Sequence, residues 1–292
     1  MLPAILLLIT LGQEINLRSH WTEDYQLAQL GSLKNVKTLD LSHTRITDLG
    51  FRELRGAENV ETVNLYYAEN TGDGALVVMK NWRKLKDVNL RGTKVTDLGV
   101  AQLAGHPSLE AIDVGYSLFT DNGLESLTTI PKLKRLACGG NKLTDAGLAS
   151  LRLMTSLTAL DISGDQRTDS GLWGATLTDR GLESIAALKQ LEELNIKGAK
   201  LTNAGTAALK QLPKLRVLHL SQTSLGAAGL APLAALPLQE LYLWKCDRLN
   251  DDAIDLLSRL KQLTFLDVEG TGLTAAGVTR LRQLLPGARI NY

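Results

Sequence analysis

Four histidines and two cysteines are the side chains of this sequence best suited to nucleophilic or metal-assisted chemistry. In the repeat register described below, His43 and His219 face outward from strands, but seven strand steps separate them, about 34 Å. His20 lies near the N-terminal end, and His106 lies in a loop before Pro107. We therefore interpret each histidine as a solvated surface residue.

The two cysteines fall at structural positions of the repeat. Cys138 is the second apolar residue of an LxL strand, which predicts a small buried side chain. Cys246 lies at the turn after a strand, where other copies carry Thr44 or Thr93. Four strand steps, about 19 Å, would separate the two thiols, too far for a disulfide.

Asn or Asp fills eight of the eleven central outward strand positions. Carboxylates there could act as an acid–base pair or hold a cation, but no two aspartates fall on neighbouring strands. We expect a hydrogen-bonded polar ladder instead, which disfavours a hydrolase that uses Asp113 or Asp161. The chain also lacks P-loop, G-x-S-x-G, H-E-x-x-H and zinc-type cysteine motifs. The sequence therefore predicts no catalytic residue, no metal and no cofactor.

An internal repeat of the form LxxLxL positions all of these side chains. Successive copies lie 23 to 25 residues apart, except for one interval of 34, and partial copies at Gly12 and Gly287 flank ten full ones. The full copies begin at Val36, Val60, Leu85, Leu109, Leu133, Leu157, Leu191, Leu215, Leu238 and Leu263.

Each copy reads as a strand followed by a short helix, because alternating aliphatics give way to a three-residue spacing. Between them lies T-x-[ILV]-T-D-x-G-L, as in TKVTDLGV at 93–100. We expect its aspartate, such as Asp97, to cap the helix, and the following glycine, such as Gly99, to let neighbouring helices stack closely.

These units resemble leucine-rich repeats of the ribonuclease-inhibitor-like and cysteine-containing type, found in F-box receptors and many bacterial proteins. Stretches such as LTDAGLASL at 143–151 carry the resemblance, which covers residues 12–292. It implies an α/β solenoid, a right-handed horseshoe with a parallel β-sheet on the concave face and short helices on the convex face. It also implies a binding scaffold.

Charge bears on the partner that this scaffold would take. The formal net charge is +1, so no overall field attracts nucleic acid or anionic lipid. On the predicted concave face, nine acids oppose five bases, which favours a protein partner with a basic or mixed surface over nucleic acid. No apolar run is long enough for a membrane span, and we expect a monomer.

Aromatic residues on the concave face are candidate partner-binding residues, because Tyr and Trp dominate interface hot spots. Incidental aromatic surface is the alternative. One group lies in the N-terminal third and one near the C-terminus: Tyr66, Tyr67 and Tyr116; Tyr242, Trp244 and Phe265.

Two segments depart from the repeat. Ten extra residues within 157–190 double the helix-start signal, and Trp173 there lies either on a binding loop or in a duplicated helix turn. Residues 1–11 are apolar and form either a cap helix or part of an export signal. The first alternative predicts a cytoplasmic protein, the second an exported one.

The absence of catalytic motifs, together with the resemblance, predicts a non-enzymatic protein-interaction scaffold. The resemblance also suggests a substrate receptor of an SCF-type ubiquitin ligase, although residues 1–11 are too short for an F-box. An enzyme inhibitor of the ribonuclease-inhibitor kind is the third alternative, for which two cysteines are poor support.

Overall fold

The computed structural model describes residues 13–164 and 177–292, and these form two compact units that divide after Asn141. The apolar segment 1–11 and most of the extra residues within 157–190, including Trp173, lie outside the described residues. Each unit has the α/β architecture expected of leucine-rich repeats: parallel strands that alternate with short helices.

The first unit contains six three-residue strands, each paired in parallel with the next along the chain. They are β1 (Glu14–Asn16), β2 (Thr38–Asp40), β3 (Thr62–Asn64), β4 (Asp87–Asn89), β5 (Ala111–Asp113) and β6 (Arg135–Ala137). The α-helices that follow β1 to β5 are α1 (Asp24–Ala28), α2 (Asp48–Phe51), α3 (Asp73–Met79), α4 (Asp97–Val100) and α5 (Asp121–Leu127). Short 3₁₀ helices extend α2 and α4 at Arg52–Gly56 and Ala101–Leu103.

The second unit repeats this order with six more parallel strands. They are β7 (Ala159–Asp161), β8 (Glu193–Asn195), β9 (Val217–His219), β10 (Glu240–Tyr242), β11 (Phe265–Asp267) and β12 (Arg289–Asn291). Its α-helices are α6 (Asp145–Leu148), α7 (Asp179–Ile185), α8 (Ile254–Leu257) and α9 (Ala275–Leu284). Its 3₁₀ helices are Ala149–Leu153, Gly205–Gln211, Ala227–Ala235 and Asp251–Ala253.

The apolar residues of the LxL pattern form the core of each unit. Leu39 and Leu41 are fully buried, as are Leu241 and Leu243, and burial of one such side chain stabilises the fold by about 1.5–3 kcal/mol. Cys138 is fully buried, as its strand position predicts. Cys246 is also buried, and its thiol donates to the carbonyl oxygen of Leu220. Burial raises the pKa of this thiol, which fits a structural role.

The Thr-Asp pair marks the helix start, but the prediction that aspartate is the cap was wrong. Thr96 precedes α4, and its hydroxyl accepts from the N–H of Leu98. The aspartate at the first helical position bonds forward to the next repeat instead. The Asp73 carboxylate accepts from the Thr96 N–H at 2.8 Å and from the Thr96 hydroxyl at 2.6 Å. In the second unit, Asp179 holds Thr202 and Asp251 holds Thr274 in the same way.

The residue two positions after the aspartate of the Thr-Asp pair is small because a carboxylate of the preceding repeat lies against it. A Cβ atom added to Gly99 would lie 2.2 Å from the Asp73 Oδ1 atom. Ala253 shows the converse, because the preceding repeat carries Ala227 where most repeats have aspartate, and a methyl group is accommodated. Gly99 and the Asp73 carboxylate one repeat earlier are therefore coupled.

We predict that Gly99→Ala lowers the free energy of unfolding by about 1–3 kcal/mol, because the new methyl group overlaps the Asp73 carboxylate. In an Asp73→Ala background, the same substitution should cost less than about 1 kcal/mol. Urea denaturation of the four proteins in this double-mutant cycle measures the coupling. An equal cost in both backgrounds would show that the carboxylate is not the cause.

His106 corrects the prediction that all four histidines are solvated. Its side chain is buried, with 4% of the residue exposed, in the loop that precedes β5. Burial lowers the pKa of His106, and the backbone of Trp82 offsets part of that effect. The folded state therefore favours the neutral imidazole.

A histidine whose pKa is lowered by folding destabilises the protein in acid, because the unfolded chain binds the proton more readily. As the pH falls from 7.5 through the unfolded value of about 6.5, we expect the free energy of unfolding to decrease until the folded pKa is passed. The decrease should be smaller in His106→Gln. Urea midpoints measured at several pH values test this, and identical pH profiles for the two proteins would contradict it.

Candidate interaction surface

The Asn and Asp side chains at the central outward strand positions accept hydrogen bonds mainly from the backbone N–H two residues further along the chain. The Asn89 side chain accepts from the N–H of Arg91 at 3.0 Å, and that of Asp161 accepts from the N–H of Ser163 at 2.8 Å. This is an Asx turn, which directs the chain out of the strand. The predicted cross-strand ladder is present where Asn64 donates to Asp40 at 3.1 Å and where Asn291 donates to Asp267 at 3.0 Å. At most other described positions of this row, the Asx turn is present without a cross-strand bond.

In many repeats, the residue that follows the Asx turn adopts a left-handed backbone conformation, with positive φ. Glycine occupies the position at Gly92, Gly140, Gly198 and Gly270, with φ from 69° to 77°. Five other residues adopt positive φ from 51° to 57° there: His43, Tyr67, Tyr116, Gln222 and Lys245. The left-handed conformation costs a residue with a Cβ atom about 1–2 kcal/mol. This strained position therefore carries two of the three tyrosines predicted in the first unit.

Two of the predicted tyrosines meet in the first unit. The rings of Tyr66 and Tyr67 lie edge to face, with centroids 4.6 Å apart. His43 stacks parallel to Tyr67 at 6.0 Å and meets Tyr66 at 5.3 Å, and His20 lies 5.3 Å from His43. We call His20, His43, Tyr66 and Tyr67 the N-terminal aromatic cluster. Its residues lie on neighbouring repeats, so the parallel sheet brings them together.

A cleft of about 460 Å³ opens beside this cluster. It is lined by all four rings of the cluster and by Thr44, Arg45, Glu69 and Asn70. The Arg45 guanidinium lies 5.4 Å from the centroid of the Trp21 ring and 3.8 Å from the Glu23 carboxylate, which restrains a cation at its rim. The cleft therefore combines aromatic faces with one positive and one negative side chain.

Tyr116 has different contacts from the other two predicted tyrosines. The Arg91 guanidinium lies 4.5 Å from the centroid of its ring, and Arg91 also approaches the Asp113 carboxylate at 3.7 Å. A Cβ atom on Gly140 would lie 2.7 Å from the Tyr116 ring, so the glycine of the next repeat makes room for this side chain. Tyr116 thus packs between the turns of neighbouring repeats and is not part of the N-terminal aromatic cluster.

In the second unit, aromatic rings lie on three neighbouring strands. His219 stacks on Tyr242 with centroids 3.9 Å apart and planes 9° from parallel, and Phe265 follows at 5.1 Å. We call His219, Tyr242 and Phe265 the C-terminal aromatic cluster. All three side chains are half-buried on the outward face of the sheet. They present a preformed aromatic surface.

Both polar rings of this cluster are neutral near pH 7. Burial lowers the pKa of His219, and the nearby Asp161 and Glu240 carboxylates offset part of that effect. Burial raises the pKa of Tyr242 to about 12, together with its 2.7 Å hydrogen bond to Glu240. The charge of this face therefore comes from the surrounding side chains.

Trp244 lies beside the C-terminal aromatic cluster but contacts cations of its own chain. The Lys245 ammonium lies 4.3 Å from the centroid of the indole ring, and that of Lys197 lies 5.2 Å from it. These contacts restrain the half-buried indole on the sheet.

Sequence reasoning missed the part that histidine plays in both clusters. His43 and His219 were assigned to solvent because no second catalytic group lay near them, yet each contacts a predicted tyrosine. The signal was available, since the repeat register places His219 opposite Tyr242 on adjacent strands. Trp173, the remaining predicted residue, lies outside the described residues.

Neither the titratable groups nor the helices of the described residues suggest a different kind of site. Within 13–164 and 177–292, no three His, Cys, Asp or Glu side chains are grouped so that they could hold a metal ion. In the same ranges, no helix has the length and hydrophobicity that a membrane crossing requires.

Comparison with known proteins agrees with this architecture. Residues 32–54 and 211–234 match the family model described as Leucine Rich repeat. An internalin (inlF) from Listeria monocytogenes is similar over 88% of this chain and 67% of its own, with 23% identity and a TM-score of 0.64. A leucine-rich-repeat protein of Leptospira interrogans is similar over 89% of this chain and 73% of its own, with 17% identity and a TM-score of 0.56.

No curated protein sequence matches the chain. The structural similarities show the fold, which is that of leucine-rich-repeat proteins. The narrower ribonuclease-inhibitor-like or F-box-receptor type stays a prediction.

The left-handed turn residues lead to a stability prediction. Gln222→Gly should raise the free energy of unfolding by up to about 1 kcal/mol, because glycine adopts positive φ without a steric penalty. Tyr67→Gly relieves the same backbone strain but removes the contacts with His43 and Tyr66, so its gain should be smaller or negative. Urea denaturation compares the two, and a loss of stability in Gln222→Gly would contradict the prediction.

Proposed function

We propose that this chain is a non-enzymatic interaction module that binds another protein through aromatic side chains on the outward face of its sheet. One observation carries the proposal: two aromatic clusters, one in each unit, lie half-exposed on or just after consecutive parallel strands. Such side chains supply a large contact area at little conformational cost.

The strands and turns support this role because they hold the rings before a partner arrives. The Asx turns and the hydrogen bonds between repeats restrain the backbone under Tyr66 and Tyr67, and stacking restrains the rings of His219 and Tyr242. A preformed surface loses little entropy on binding, so more of the contact energy appears as affinity.

The narrower roles are versions of this proposal that differ in the partner. A ubiquitin-ligase receptor would bind the ligase adaptor as well as its substrate, whereas an inhibitor would block the active site of an enzyme. In all of them we propose a monomer that acts in the cytoplasm, or outside the cell if residues 1–11 belong to an export signal.

Affinity capture from the native source tests the proposal with one variant for each cluster. Tyr66→Ala/Tyr67→Ala and Tyr242→Ala/Phe265→Ala should each preserve the far-UV circular dichroism spectrum, and at least one should reduce recovery of a specific partner tenfold or more. That loss equals about 1.4 kcal/mol or more of binding free energy.

Leu49→Ala/Leu98→Ala is the matched control, because both leucines are large, apolar and exposed at helix starts away from the sheet face. We expect the control to recover the partner as the parent chain does. Equal recovery by both aromatic variants and the control would refute binding through the aromatic clusters.

A further inference from the structure

Two sheet-face carboxylates of the first unit pair with arginine, whereas those around the C-terminal aromatic cluster do not. In the first unit, Asp87 meets Arg135 at 2.8 Å and Asp113 meets Arg91 at 3.7 Å. In the second unit, four sheet-face carboxylates form no ion pair with any cation among the described residues: Asp161, Glu193, Glu240 and Asp267.

These carboxylates surround the aromatic rings. Strand register places Glu193 and Glu240 on either side of Val217, in the row next to the His219–Tyr242 stack. Asp267 lies opposite Tyr242 on the following strand. All three carboxylates act electrostatically on the Tyr242 phenol, which shows that their charges converge there.

Three cations near this face lie against aromatic rings. Lys197 and Lys245 lie against Trp244, and the Arg289 guanidinium lies 6.0 Å from the centroid of the Phe265 ring. The His219–Tyr242 stack is neutral near pH 7, as described above. Arg289 thus lies against one ring of the cluster, but the four carboxylates outnumber these three cations, and none of the four forms an ion pair with a cation among the described residues.

Resting on the proposed function, we propose that the C-terminal aromatic cluster binds a lysine- or arginine-bearing extended segment of the partner protein. The cation would contact the aromatic edges and faces while the Glu193, Glu240 and Asp267 carboxylates balance its charge. Nucleic acid would meet repulsion at this face. From β8 to β11 the patch spans about 14 Å, the length of about four extended residues.

Fluorescence anisotropy with the full chain tests this inference directly. The probes are two labelled ten-residue peptides, one alternating Lys and Gly and the other alternating Glu and Gly. We expect the lysine peptide to bind at least tenfold more tightly than the glutamate peptide. The triple variant Glu193→Gln/Glu240→Gln/Asp267→Asn should weaken binding of the lysine peptide at least tenfold.

The control variant Glu53→Gln/Glu58→Gln/Glu125→Gln changes the net charge equally at exposed positions of the first unit. It should change the affinity for the lysine peptide less than twofold. Equal weakening by both triple variants, equal binding of the two peptides, or no binding of the lysine peptide at 1 mM would overturn the inference. The affinity-capture experiment separates this inference from the proposed function. If the parent chain captures a partner and the aromatic variants do not, the proposed function stands even where the peptide experiment fails.

Discussion

The hydrogen bonds that an aspartate of one repeat accepts from the threonine of the next are the constraint on which the rest of the structure depends. Each such carboxylate takes the backbone N–H and the hydroxyl of the same threonine, as Asp73 does with Thr96. Because one aspartate satisfies two donors at a helix start, the preceding repeat positions the helix start wherever this aspartate–threonine pair occurs. By holding neighbouring repeats side by side, these hydrogen bonds also keep neighbouring strands within pairing distance.

Strand pairing then determines which side chains can act together. A parallel register brings equivalent positions of successive repeats into one row, about 4.8 Å apart. Aromatic residues more than twenty positions apart in the chain, such as Tyr242 and Phe265, therefore become neighbours. The surface is rigid because its rings are held by each other and by strands whose inward residues are buried. Such a scaffold is suited to recognition by complementarity of shape and charge.

The strained turns show that the chain departs from its own repeat at some of these positions. Glycine would satisfy the left-handed backbone everywhere, yet Tyr67 and Lys245 occupy that position beside exposed aromatic surface. Their conformational cost is a reason to connect them with recognition, since folding alone would favour glycine. Arginine pairs with Asp87 and Asp113 on the sheet face of the first unit, whereas the carboxylates beside Tyr242 in the second unit form no ion pair among the described residues.

The repeat period, the alternation of strand and helix and the burial of residues such as Leu39 and Cys138 could be predicted from the sequence. They follow from local periodicity and side-chain hydrophobicity, which need no knowledge of distant contacts. The outward direction of Tyr66 and Tyr242 followed for the same reason. The capping residue was assigned to aspartate because a carboxylate is a good helix cap in isolation, and the sequence does not show that the next repeat competes for it.

By itself, the sequence determined a parallel α/β repeat and the set of aromatic residues that its strands and turns expose. The repeat register placed His219 opposite Tyr242, but only the tertiary structure showed which rings make contact: Tyr66 with His43, and Tyr242 with His219, while Tyr116 and Trp244 pack against cations. It also decided that His106 is buried and that Gly99 faces a carboxylate. The physical reason is that side-chain rotamers and ion pairs depend on atoms contributed by neighbouring repeats, whereas periodicity within one repeat specifies only the face on which a residue lies.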